Sequence, residues 1–482
     1  MKTNHKLTFG ALATFIFGCL TVACNSSEDV LTTLPSSATV RSFSLEADDD
    51  ILPNLDSVFF SIDIYSQEIF NADSLPFGTK VNSLVPVITT ESASVVEIIV
   101  PGNGDNEEKK INYLENTTDT VDFTDPVKLR VVSYDGATER NYTIKVNVHQ
   151  IPSDTLVWSR LTGVSLPTVF NAVSEQHTTM SPGGSFFCLT AYEGGYAVAT
   201  TTNPTGKWDI VRCAVDFTPN INSFTATNEA LFVLDTSGLL HTSADNGATW
   251  TDTGTRSDAI IGAYGKRLIT SIQEDSGWFL GAYPDSSGLT PAPADFPVMN
   301  TSNAVTIQFE MSTSPQMIIS GGRTAEGELS ADTWGYDGRT WAKISRDPLP
   351  KKLENMAVVP YYDIKIDSIS WKVSPRRSVL LGLCGNTEDG NPNGTVYISA
   401  DFGLTWAEAP ANMQMPQSVI PLRTNAQAFP YVGVKYAGRA TAPITHWDVP
   451  YIYLFGGVSA QGVTYNTIFR GVITQFTQKP LQ

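Results

Sequence analysis

The sequence predicts an all-β protein in two parts, a β-sandwich followed by a six-bladed β-propeller, with seven blades as the alternative count. Three observations carry this expectation. Two segments, Ser243-Ala-Asp245-Asn-Gly247-Ala-Thr249-Trp250 and Ser399-Ala-Asp401-Phe-Gly403-Leu-Thr405-Trp406, fit S-x-D-x-G-x-T-W without a mismatch. From about residue 151 onward, short apolar runs are punctuated by Gly, Asn, Pro and Asp with almost no helical periodicity, the pattern of strands and tight turns. Looser copies of the eight-residue motif also recur at the spacing of one four-stranded blade.

At the N-terminus, Lys2 and Lys6 precede an apolar run from Leu7 to Phe17, which is shorter than the roughly 20 residues a bilayer-spanning helix needs. It therefore reads as a leader. The following Thr21-Val22-Ala23-Cys24 resembles a bacterial lipobox, with Thr21 where Leu is usual. That resemblance implies cleavage after residue 23 and a lipid on Cys24; Cys19, after Ile16-Phe17-Gly18, is the weaker alternative. Asn25-Ser26-Ser27-Glu28-Asp29 resembles the acidic tract of surface-exported Bacteroidetes lipoproteins, which implies the outer face of an outer membrane.

Residues 24–50 read as a flexible tether and 51–150 as a sandwich. In the latter, Ser57–Tyr65, Val95–Val100, Val127–Tyr134 and Arg140–Val148 alternate as strands, and Tyr134-Asp135-Gly136 supplies a hairpin turn. The stretch from Phe123 to Val148 resembles the closing hairpin of Ig-like modules, which implies a spacer about 100 residues long.

The propeller spans 151–482. Its two full motifs resemble the Asp-box of sialidase-type propellers, in which Ser and Asp oxygens cap backbone N–H groups, Gly adopts positive φ and Trp closes over the hairpin. Thr201–Trp208, Pro284–Pro291 and Trp334–Trp341 are degenerate relatives. Their closing positions, 208, 250, 291, 341 and 406, advance by 42, 41, 50 and 65 residues. The sixth blade has Tyr451–Phe455 and Thr464–Arg470 but no terminal hairpin, so its outer strand is expected from Thr155–Leu161, closing the ring and removing two open sheet edges. Gly321-Gly322 and Gly456-Gly457 give the region a kelch-like cast as well. As a whole the chain resembles Bacteroidetes surface lipoproteins with an Ig-like N-terminal module and a six-bladed Asp-box propeller, a resemblance that brings no catalytic residues.

The formal charge is −18 and becomes about −20 once the leader removes Lys2 and Lys6, an acidic shell that disfavours nucleic acid and anionic lipid as partners. Cys188, Cys213 and Cys384 are odd in number, lack C-x-x-C spacing and sit in apolar runs. They read as buried free thiols, with a disulfide between two of them as the alternative. No cofactor or metal is expected; the oxygen-rich Asn386–Asn393 loop lacks the regular ligand spacing of a calcium loop.

Because Asp-box hairpins join the third and fourth strands, they mark one rim, and ligand recognition falls to the other. That front rim comprises Tyr192–Gly195, Asp235–Gly238, Arg323–Glu328, Asn386–Asn393 and Val458–Gly462, with inter-blade segments carrying His177, Tyr361, Tyr362, Arg376, Arg377, Arg423, Arg439 and Trp447. Sialidase chemistry needs an arginine trio for the substrate carboxylate, the first in an R-I-P motif, and no R-I-P occurs. Glu193, Asp235, Glu326, Glu328, Glu388 and Asp389 are placed for carboxylate chemistry, but only coordinates reveal the pair separation that glycosidases require. For binding, the expected residues are Tyr192, Glu193, Arg323, Tyr361, Tyr362, Arg376, Arg439 and Trp447, with Tyr361-Tyr362 expected to expose one ring. The leading expectation is a lipid-anchored surface protein that binds a glycan or a partner protein without catalysis. A glycoside hydrolase or lyase at the channel mouth is the runner-up, and a structural surface-assembly component the third.

Overall fold

The computed structural model describes residues 34–102, 107–167, 172–284, 288–309, 312–366, 373–437 and 446–474; for 363–366, 373–377, 433–437 and 446–449 it describes the backbone alone. The leader and Cys24 lie outside these residues. Strand dominates, and helix is confined to the single 3-10 turns Leu55–Ser57, Ile221–Ser223 and Ala411–Met413 among the described residues, so the all-β expectation holds.

The N-terminal part pairs Val40–Leu45 with Pro86–Thr90 and builds one six-stranded sheet. Its order is Phe60–Asp63, Glu68–Asn71, Glu139–Lys145, Val127–Ser133, Ala93–Val100, Lys109–Asn112. All neighbours run antiparallel except Glu68–Asn71 and Glu139–Lys145, which are parallel. Alternation along Val127–Ser133 sends Val127, Leu129 and Val131 inward to meet Phe43, Phe60, Ile69, Val96 and Tyr142 in one core. Phe43 and Phe60 pack edge to face at 4.8 Å. The expected Tyr-Asp-Gly turn forms, with Gly136 at φ +71° and Asp135 accepting from the Ala137 N–H at 2.9 Å.

Beyond residue 155 the strands form six four-stranded sheets. The first five follow chain order, beginning with Val173–Met180, Phe186–Tyr192, Gly195–Thr201 and Asp209–Arg212. First strands of successive sheets lie side by side, first with second, second with third, fourth with fifth, fifth with sixth, and sixth with first. The third meets the fourth at Gly262, where a Cβ would overlap that of Ala304. Side-chain amides stitch these inner strands: Gln427 Oε1 accepts from Thr178 N at 3.0 Å, and Asn303 exchanges two bonds with Val358 at 2.8 and 2.9 Å.

The expected closure is observed. In the sixth sheet Gln427–Ala437, His446–Phe455 and Thr467–Thr474 are completed by Thr155–Ser165, which pairs antiparallel with Thr467–Thr474 from Thr155 opposite Thr474 onward. The strand therefore runs four residues beyond its expected end at Leu161.

Candidate functional site

All five motif-like segments fall in the hairpin between the third and fourth strands of their sheets. In the first full copy, Ser243 Oγ accepts from Gly247 N at 2.9 Å and donates to Asp245 Oδ1 at 2.8 Å. Asp245 also accepts from Thr249 N at 2.9 Å and Thr249 Oγ1 at 2.6 Å. The second copy repeats each bond with Ser399, Asp401, Gly403 and Thr405 at 2.8 to 2.9 Å. Gly247 and Gly403 have φ of +90° and +95°. Hydrogen bonds led by the Thr249 hydroxyl hold the Asp245 carboxyl down at about 2. Both aspartates are therefore committed to turn geometry.

The opposite rim gathers the loops between second and third strands and the segments that enter each sheet. In the fourth to sixth sheets it is built to one plan. The entering segment places Asn300, Asn355 and Asn425 in the left-handed region at φ +52°, +52° and +50°. The second strand ends in two successive left-handed residues, Gly321-Gly322, Cys384-Gly385 and Gly456-Gly457. At Gly321 this is obligatory, because a Cβ would overlap the Leu353 carbonyl oxygen. Adjacent segments are joined directly, Asn355 N donating to Asn300 O at 2.8 Å and Asn386 Nδ2 to Asn425 Oδ1 at 3.4 Å.

Arg323 is consumed within this rim. Its Nε and Nη2 hold the nearly buried Glu354 carboxylate at 2.7 and 3.0 Å, a bidentate pair that Asn300 Nδ2 supports at 2.8 Å. Its Nη1 donates to Gly327 O at 2.8 Å and Glu388 Oε1 at 3.2 Å. The guanidinium is thus a brace between the fourth and fifth sheets, and it does not present a free fork to a substrate carboxylate.

Asp235 is likewise structural. Burial acts to raise its pKa, but bonds from Leu239 N, both Ser237 donors and His241 outweigh it and hold the carboxyl at about 2. His241 in turn stacks on Phe217 at 3.6 Å. Among the described residues, every carboxyl whose pKa is displaced is displaced downward, at Asp63, Glu91, Asp135, Glu139, Asp235, Asp245, Asp337 and Asp401. General acids on carboxyls require the reverse shift.

Of the expected binding residues, Glu193 is exposed and Tyr192 and Tyr362 are half-buried. Tyr361 is corrected: it is 4 % exposed, and its hydroxyl donates to Pro450 O and accepts from Ile473 N, both at 3.2 Å. Alternation turned this ring of the pair inward to the fifth and sixth sheets. Arg439 lies outside the described residues, as do the side chains of Arg376, Arg377 and Trp447. Arg423, expected in an exposed connection, is 1 % exposed. The three left-handed asparagines were not anticipated, although an Asn ahead of each inner strand, in Met299-Asn300-Thr301, Glu354-Asn355-Met356 and Thr424-Asn425-Ala426, is visible in the sequence. Cys188, Cys213 and Cys384 are free thiols, with burial pushing their pKa values up to about 12, 11 and 11.

A family model described as the DUF6242 beta propeller domain matches residues 152–481, and the DUF6242 N-terminal domain matches 31–146. Among curated proteins there is no match to the chain. Solved structures similar to it include YjhT, at 10 % identity over 62 % of this chain and 95 % of that one with a TM-score of 0.38. AofleA from Arthrobotrys oligospora is 11 % identical over 68 % of this chain and 94 % of its own, with a TM-score of 0.36. A lectin of Aleuria aurantia, described as a six-bladed β-propeller with a novel fucose recognition mode, is 10 % identical over 68 % and 99 %, with a TM-score of 0.35.

Proposed function

Since the chain belongs to the DUF6242 β-propeller family, we propose that it is a lipid-anchored cell-surface protein whose propeller recognises a neutral glycan at its front rim without catalysis. In this reading the six four-stranded sheets are six blades, the N-terminal part is an Ig-like spacer, and Cys24 carries the lipid. The observation that carries the reading is the repeated rim plan, in which Asn300, Asn355 and Asn425 stand at the entrances of three successive inner strands. An amide donates and accepts at once, as a sugar hydroxyl does; Asn355 keeps both functions, and beside the bonds to Glu354 and Asn386 the Oδ1 of Asn300 and the Nδ2 of Asn425 remain, a mixed row that suits a neutral polyhydroxyl ligand. Arg323, already held by Glu354 and Glu388, favours such a ligand over a carboxylate sugar.

The test is a glycan array combined with a turnover assay on the mature chain carrying Cys24→Ser. Binding without product is expected, weakened several-fold by Asn355→Ala, whose side chain makes no hydrogen bond to the described residues. Turnover abolished by Glu388→Gln or Asp389→Asn would replace this reading with the hydrolase or lyase.

A further inference from the structure

Among the described residues Arg423 is the largest side chain to be fully buried, and it has no carboxylate beside it. Its Nε donates to Pro421 O at 3.1 Å, and its Nη1 to Gly456 O at 2.8 Å and Thr467 Oγ1 at 3.4 Å. The rings of Tyr465 and Phe469 lie 4.5 and 5.0 Å from the guanidinium carbon. Nη2 is buried without a hydrogen-bond partner. Arg423 is also one of the residues lining a cavity between the fifth and sixth sheets, walled further by Cys384, Asn393, Gly394, Met415 and Gln417.

We propose that Arg423 and this cavity form a site for one small inorganic anion of halide type, chloride being the expected occupant. A full positive charge out of water calls for an opposite charge, and aromatic rings supply only part of that demand. The neighbouring Cys384 does not supply the rest, because burial pushes its thiol up to about 11 and keeps it neutral at pH 7. A water would accept from Nη2 but would leave the charge uncompensated; a halide does both. The cavity is small, about 10 Å³, room for a single water-sized occupant, so a monatomic halide, which needs only a slight widening of the walls, is favoured over polyatomic carboxylates, phosphates and sugars. Gln417 and Leu422, both on the cavity wall, are exposed, so the cavity lies next to solvent. Once seated, the ion would clamp the segment entering the sixth sheet against the loop of the fifth. This site is independent of what the front rim recognises.

Melting of the full mature chain in sodium chloride, bromide or gluconate at one ionic strength is the first measurement. Chloride and bromide should raise Tm by about 2 °C or more over gluconate, climbing with the logarithm of halide concentration. Arg423→Met should erase the difference between the salts. Crystals of the unsubstituted chain grown in bromide keep the proposal testable should that variant not fold, with an anomalous peak expected within hydrogen-bond distance of Nη2. Equal melting in all three salts overturns the proposal. So does a peak at Nη2 unaccompanied by any halide-dependent Tm, which marks an ion held at crystal concentration only.

Discussion

The turns at 243–250 and 399–406 share every specified residue and every internal bond from Ser, Asp and Thr, yet their tryptophans dock differently. Trp250 is half-buried and donates to the carbonyl of Gly247 in its own turn at 3.1 Å. Trp406 is 5 % exposed and reaches Thr333 Oγ1 on the preceding sheet at 2.9 Å. The cause lies next door. Gly247 abuts Val198 and Gly403 abuts Thr333, both on the third strand of the preceding sheet. Where the neighbour offers a hydroxyl, the indole takes it; where it offers a methyl, the indole turns home. The motif thus dictates a turn, and the adjacent blade dictates how that turn is seated.

Replacing the glycines breaks both copies and should have the largest effect. In Gly247→Ala the new methyl would overlap Val198 Cγ2, and in Gly403→Ala it would lie 2.6 Å from Thr333 Cγ2, each at a φ that L-residues rarely adopt. A loss of about 2–4 kcal/mol is expected for each, greater for Gly247, as read by chemical denaturation. Thr333→Val sharpens the contrast, because it strands the Trp406 N–H while leaving Trp250 untouched. The cost should be about 1–3 kcal/mol, whereas Val198→Thr should change stability by less than about 1 kcal/mol. The smallest effect concerns acid. Since the folded Asp245 carboxyl titrates near 2, below its ordinary 3.8, its contribution is complete above about pH 4 and fades as pH falls toward 2. Asp245→Asn should flatten that limb of a stability–pH curve without steepening any other.

What the sequence disclosed and what it hid follow one rule. The S-x-D-x-G-x-T-W turns, the Tyr-Asp-Gly hairpin and the front-rim loops are local, made by residues within eight positions of one another, and they could be read directly. The closing strand was legible for a different reason: five hairpins with a sixth missing left an edge that only Thr155–Leu161 could cover. Arg423 is not legible because its environment is assembled from Gly456, Tyr465 and Phe469, 33 or more residues further along the chain, and nothing near Pro421-Leu422 announces them. Tyr361 escaped in a smaller way. Alternation says that one tyrosine of a pair turns inward, but which one depends on strand register, and here Tyr361 lies opposite Val379 with its hydroxyl wedged at Ile473. The asparagines carry no sequence signal of their own; only the backbone conformation the three share sets them apart.

The seam between Thr155–Ser165 and Thr467–Thr474 also has a mechanical meaning. The N-terminal part joins the propeller at this strand, so a pull on it arrives first at the Thr155–Thr474 pair and at the bonds from Asp154 N to Thr474 O and Asn412 Nδ2 to Asp154 O. The stretch of chain that bears the load is the same one that latches the circle. A hard enough pull would therefore open the whole disc at its first and last strands rather than detach it intact.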